Sequence, residues 1–172
     1  MNPARIFLPA IVIFLSVAFN PMANNATVAP QADDFPNGLL GQWSGEGRSM
    51  GMDSKPRMTW ERILADKFVH LHFRNEMKNA QGRIEVFERH AYYKSAGGGR
   101  FTGNWFDSGG AAHPINAVFE NSSLDSTWGT EQTQLGRTRY RLADSNSVEI
   151  IDTVKLKDGT WREFSRTLLR RQ

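Results

Sequence analysis

Two histidines, His70 and His72, stand two residues apart in a stretch of alternating polarity. On a β-strand that spacing puts both rings on one face. It can hold a metal ion if a third ligand approaches from a neighbouring strand. Glu85, Glu88 and His90 are the candidates, and Glu88 shares a face with His90. The plainer reading is a polar outer face, with Val69, Leu71 and Phe73 filling the core opposite it. On that reading we assign no metal ligands and no cofactor. Turned inward, the histidines would instead be hydrogen-bonding groups of a cavity.

A second constellation suits the binding of a small molecule. Arg62 shares a strand face with Trp60 and Leu64, an arginine on an apolar stripe. Burying such a charge is costly unless an acid or a ligand anion meets it. Asp107, Glu88 and Asp152 are the acids in view for a structural ion pair; the other role for Arg62 is to orient a ligand's polar end. Asp152 is equally exceptional, set between Ile150 and Val154. Ligand cavities need apolar and aromatic walls with a few orienting polar groups. Tyr92, Tyr93, Phe101 and Trp105 supply such walls, with Asp107 close behind. Trp43, Trp60, Trp128 and Trp161 read as core or closing residues.

Other chemistries find no support. No serine sits in a nucleophile elbow and no His-Glu-x-x-His occurs. The glycines at 97–99 and 109–110 belong to turns rather than to a strand-to-helix phosphate loop. The absence of cysteine excludes disulfides, thiolate metal sites and a cysteine nucleophile. The chain of 172 residues carries a formal charge of +3; leaving out residues 1–30, which contain Arg5 alone among charged groups, 20 basic residues face 18 acidic ones. So near a balance argues against a nucleic-acid partner. Arg137, Arg139 and Arg141 alternate and read as one salt-bridged sheet face.

The elements that must position these groups are strands. Residues 1–19 read as an export signal: Arg5 supplies the positive charge, Ile6 to Phe19 the apolar core, and Asn20-Pro21 the break. The apolar core is short for a membrane-spanning helix, which needs about 20 residues. Residues 1–29 are therefore expected to be a signal peptide and mobile leader, cleaved after one of Ala18 to Ala29 and leaving no stable membrane insertion. The expected location is a bacterial periplasm or the exterior. A folded domain over 35–172 follows. Asn37 to Leu40 suggests a helical turn, and Gly41 to Arg48 a first strand whose glycines suit a bend at a barrel corner. Met50 to Pro56 reads as a loop. Strands are expected over Arg57–Leu64, Phe68–Lys78, Arg83–Ser95, within the stretch Gly98 to Gly110 between its two glycine-rich turns, and over Ile115–Glu120, Leu124–Gly129, Gly136–Leu142, Ser147–Leu156 and Thr160–Arg170. Asp158-Gly159 is a strong hairpin turn. About ten short-looped strands with no room for crossover helices imply an all-β, antiparallel up-and-down barrel. A two-sheet sandwich is the alternative.

In order along the chain, Gly41-Gln42-Trp43-Ser44-Gly45-Glu46-Gly47, Trp60-Glu61-Arg62, Trp105-Phe106-Asp107-Ser108-Gly109-Gly110, Asp158-Gly159-Thr160-Trp161 and Phe164-Ser165-Arg166-Thr167-Leu168-Leu169 resemble the lipocalin-like proteins of a bacterial domain family of unknown function. The resemblance spans Leu39 to Arg170 and implies a calycin-type barrel with an internal cavity and no established activity. The opening strand is also similar, more distantly, to that of the nitrobindin-like haem barrels. Those carry a haem-ligating histidine near the C-terminus, whereas the last histidine here is His113. Together these readings predict an exported barrel that binds a small, mostly apolar ligand. Tyr92, Tyr93, Phe101 and Trp105 would form its walls, and Arg62 and Asp107 its polar contacts. A cofactor-free isomerase, cyclase or lyase using Asp107, Glu88 or a histidine is the alternative, and a metal- or haem-binding barrel a further one.

Overall fold

The structure is a computed structural model that describes residues 35–172; the signal peptide and leader assigned to residues 1–29 lie outside the described residues. A 3-10 turn, Asn37–Leu39, precedes ten strands: β1 (Gly41–Ser49), β2 (Met52–Ile63), β3 (Phe68–Lys78), β4 (Ile84–Gly97), β5 (Arg100–Asp107), β6 (Ala112–Glu120), β7 (Ser123–Trp128), β8 (Gly136–Asp144), β9 (Ser147–Lys155) and β10 (Trp161–Arg171). Each strand pairs antiparallel with its sequence neighbours, and β1 pairs with β10 to close the barrel. Closure leaves no free sheet edge. The up-and-down barrel expected from the sequence is the fold.

The closing seam explains the glycines of β1. A Cβ on Gly45 would lie 2.0 Å from the Leu168 carbonyl oxygen, and one on Gly47 would lie 2.5 Å from that of Arg166. Neither carries a positive φ, so the requirement is close approach of two backbones rather than an unusual bend. The β1–β2 connection is also tighter than the predicted loop. Met50 and Gly51 form it in left-handed conformations, and β2 already begins at Met52. Pro56 obscured this, because proline disfavours a strand interior. It is accommodated where the β1–β2 ladder is interrupted: the pairs run Trp43↔Met58 and Ser44↔Arg57, then resume at Gly47↔Ser54. On its other side Pro56 stays in register with Asn75 of β3.

Burial alternates with period two along the strands, for example over Val69, Leu71, Phe73, Asn75 and Met77 of β3. At one end the interior is solid. Phe35 enters it, its ring 5.1 Å from that of Trp60 and 5.4 Å from that of Phe101. Trp60 in turn meets Tyr93 at 5.3 Å and Tyr140 at 5.2 Å. The segment carrying this plug is tied down from both termini of the barrel. Trp43 Nε1 donates to the Leu39 carbonyl at 2.8 Å, and Arg171 donates to the Leu40 and Gly38 carbonyls, each at 2.7 Å, while stacking over Trp43.

The outer face is charged and paired. Arg139 donates to Asp125 at 2.6 Å, and Arg141 and Arg166 converge on Glu149 at 2.7 and 2.6 Å. Arg137 instead lies 3.9 Å over the ring of Trp161. That contact corrects the core placement of Trp161: it begins β10 on the outer face, where a cation covers it.

Candidate functional site

The opposite end of the barrel is hollow. A cavity of about 650 Å³ opens there, among the β1–β2 turn, the β5–β6 turn and the starts and ends of the adjoining strands. Its walls are aromatic. Phe73 comes from β3, Phe87 from β4, Trp105 from β5 and Trp128 from β7. The Trp105 and Trp128 rings lie 4.7 Å apart, and His113 of β6 meets both, at 5.9 and 5.6 Å. Trp128 reaches this position because β8 begins with Gly136, where a Cβ would lie 2.0 Å from the indole ring.

The cavity holds a buried charge, Arg89 of β4, 3% exposed. Its guanidinium is sandwiched between the rings of Phe73 at 4.3 Å and Trp105 at 4.6 Å. These are its in-register neighbours' strands: Phe73 lies directly opposite it on β3, and Asp107 on β5. Nη2 donates to the Tyr140 hydroxyl at 3.0 Å, and Nη1 lies 3.8 Å from the Asp152 carboxylate. Asp152 is itself buried and accepts from Thr138 Oγ1 at 2.6 Å; Trp128 Nε1 donates to the same hydroxyl at 3.2 Å. Burial opposes the charge on Arg89, but the Tyr140 hydroxyl that accepts its hydrogen bond and the carboxylates of Asp152 and Asp107 more than offset it, and its pKa stands above the ordinary arginine value. The guanidinium is charged at any physiological pH. Burial holds the phenols of Tyr93 and Tyr140 above their ordinary value, so both are neutral hydroxyls there.

Two buried polar atoms at this cavity, Arg89 Nε and His113 Nδ1, have no hydrogen-bond partner in the structure. A buried N–H left without an acceptor costs about 1–3 kcal/mol. Asp107 is more fully used. Its Oδ1 accepts from the Gly109 and Ala111 amides at 2.9 and 3.1 Å, and its Oδ2 from Trp105 Nε1 at 3.1 Å. It therefore shapes the β5–β6 turn and holds the Trp105 ring against the cavity.

Of the residues expected to bind ligand, the structure brings Trp105 and Asp107 to this cavity. Tyr93 and Phe101 also face inward, but Phe101 packs on Phe35 in the solid end, and the Tyr93 hydroxyl meets Ser126 Oγ at 3.2 Å. Tyr92 faces outward, its ring stacked 4.9 Å from His70, because consecutive strand residues take opposite faces. It is not a wall of the interior. Arg62 points inward at the solid end, where Nη2 donates to Asn37 Oδ1 at 3.0 Å. The arginine that stands beside Asp152 is Arg89. Its alternation with Phe87, Ala91 and Tyr93 was a readable signal, hidden by the polar Glu88 and His90 on either side. Phe73, Phe87, Trp128 and His113 were likewise not assigned to a cavity, since their meeting depends on cross-strand register.

A separate cluster lies on the outer face of β3 and β4. His72 Nε2 and Glu88 Oε1 are 2.6 Å apart, and His70 Nε2 and His90 Nδ1 are 2.9 Å apart. His72, Glu88 and His90 bring one ligand atom each to within 4.8 Å of the others, a spacing that can hold a metal ion.

No protein-family model matches the chain, and no curated protein matches its sequence. Solved structures do resemble it. The protein Rv2717c from M. tuberculosis superposes with a TM-score of 0.59 at 12% identity, over 79% of this chain and 94% of the other. The S-type phycobiliprotein lyase CPES from Guillardia theta does so with a TM-score of 0.58 at 6% identity, over 83% and 92%. At such identities these likenesses speak to fold alone, a closed antiparallel β-barrel.

Proposed function

We propose that this chain is an exported binding barrel that takes one small, mostly apolar molecule, carrying an oxygen acceptor, into the cavity at its open end. The observation that carries the reading is the pairing of aromatic walls with a buried charged arginine. Phe73, Phe87, Trp105 and Trp128 surround a space of about 650 Å³ that Arg89 and His113 also line. A cavity with aromatic walls favours an apolar body over bulk water, and the charged Arg89 in its lining suits an oxygen acceptor at one end of that body. Asp152 already balances much of the charge on Arg89, so a carbonyl or a single carboxylate suits the site better than a polyanion.

Native mass spectrometry of the untagged protein purified from its own host tests this directly. The expected result is a co-purified organic molecule, released on denaturation and lost from the Trp105→Ala variant. Failure of both co-purification and any change of tryptophan emission across a panel of hydrophobic carbonyl compounds and monocarboxylates would overturn the reading. Export rests on Arg5 and the apolar run Ile6 to Phe19. A mature N-terminus after one of Ala18 to Ala29 is expected, and an intact chain retained in the cytosol contradicts it. Among the described residues no helix is long and apolar enough to cross a membrane.

A further inference from the structure

We propose that the outer face of β3 and β4 carries a site for a divalent transition cation of the zinc class, ligated by His72 Nε2, His90 Nε2 and Glu88, with its remaining position open to solvent. The register builds it. His72 lies directly opposite His90, and His70 directly opposite Tyr92, so four rings form a stack along one face. His72 and His90 lie 4.5 Å apart with planes 5° from parallel, and His90 and His70 5.1 Å apart at 6°. Glu88 stands one pleat along, 2.6 Å from His72 Nε2 and 3.8 Å from His90 Nε2. Donors about a tetrahedral zinc ion at ~2.0–2.1 Å are separated by roughly 3.3 Å. The two observed distances bracket that value; the stacked imidazoles of His72 and His90 must turn out of parallel to aim both Nε2 lone pairs at one ion, a side-chain movement that leaves the strands in place.

A second chain of contacts selects the ligand atom of His90. His70 Nδ1 lies 3.0 Å from Glu61 Oε1, and His70 Nε2 lies 2.9 Å from His90 Nδ1. With His70 donating to the carboxylate, its Nε2 is the acceptor and His90 Nδ1 the donor. His90 is thereby held in the tautomer whose Nε2 lone pair is free and directed towards Glu88. A carboxylate behind a metal-binding imidazole is the usual way of orienting it and raising its basicity; here a second imidazole stands between them. Arg74, the residue opposite Glu88, turns to Glu76 instead, leaving the Glu88 carboxylate to the histidines. Binding requires the proton on His72 Nε2, now facing Glu88, to move to Nδ1, which frees the Nε2 lone pair for the metal. Two imidazoles and one carboxylate suit zinc and its neighbours over magnesium or calcium.

The test is calorimetric titration of the untagged, chelator-stripped protein with Zn²⁺, and with Co²⁺ followed by visible absorption. One ion per chain is expected, with a cobalt spectrum of low coordination number. Glu88→Gln and the pair His72→Ala/His90→Ala should abolish binding while circular dichroism shows the barrel intact, because all three side chains are partly exposed on the outer face. His70→Ala should weaken binding by ~10–100-fold, the effect of losing an orienting partner. Wild-type protein that binds no Zn²⁺, or a double variant that binds it as tightly as wild type, overturns the proposal.

Discussion

The solid and hollow ends of this barrel are built from the same strands, and β4 and β5 contribute to both. At the solid end Tyr93 and Phe101 meet Phe35 and Trp60, and the arginine of that end, Arg62, turns to Asn37. A few residues away on the same two strands, Arg89 and Trp105 face a cavity. The difference comes from what enters the interior. The Phe35–Leu39 segment fills one mouth, and the other has only hairpin turns around it. A filled end derives its stability from packing, which tolerates no loss of volume. A hollow end has already given up that packing, and it is held by a polar network of Arg89, Asp152, Tyr140 and Thr138 that keeps its walls in place.

The largest effect should come from emptying the solid end. Trp60→Ala is expected to cost about 3–5 kcal/mol, read from the midpoint of urea unfolding. Trp105→Ala, beside space that already exists, should cost less than half as much; equal losses would mean that the two ends are packed alike. Breaking the buried pair at the hollow end comes next. Asp152→Leu leaves Arg89 uncompensated and should cost about 3 kcal/mol, with Arg89→Met/Asp152→Leu recovering most of it. A double variant no more stable than the single one would show that the pair does not act as a unit.

Alkaline pH separates the ends further. Burial raises the phenol pKa of Tyr93 and Tyr140, so the unfolded chain gives up these protons first, near pH ~10. Their contribution is complete below that pH and declines as pH rises towards their folded-state values. Tyr140→Phe should flatten the loss in alkaline denaturation, at an expense near neutrality of about 1 kcal/mol for its hydrogen bond with Arg89. The smallest effect is expected from Arg62→Leu. Losing the bond to Asn37 should loosen the plug by about 1 kcal/mol or less and leave ligand affinity at the far mouth unchanged. A fall in affinity without a fall in stability would return Arg62 to the ligand.

Period-two alternation made the faces of β3 readable, with His70 and His72 on one side and Val69, Leu71 and Phe73 on the other. The same rule allows only one of Tyr92 and Tyr93 to face inward. Arg62 stood out because Trp60 was its close neighbour, yet Arg89 had Phe87, Ala91 and Tyr93 on its own face and meets the buried acid. Which arginine reaches Asp152 depends on height within the barrel, and height depends on how each strand is staggered against the next. Trp161 was misplaced for a related reason: an aromatic next to a hairpin turn can lie on either face, and Arg137 on β8 covers the outer one.

By itself the sequence determined the strand count, the meander and its hairpins, because alternation and turn chemistry are local and each hairpin binds neighbours in order. The glycines of β1 read there as a bend, whereas in the structure their missing side chains admit the backbone of β10 and let the barrel close. The tertiary structure alone decided which end would be filled and which residues would share the hollow one. Phe73, Arg89, Trp105, Trp128 and Asp152 are distant in sequence, and only the register of five separate strands brings them to one height.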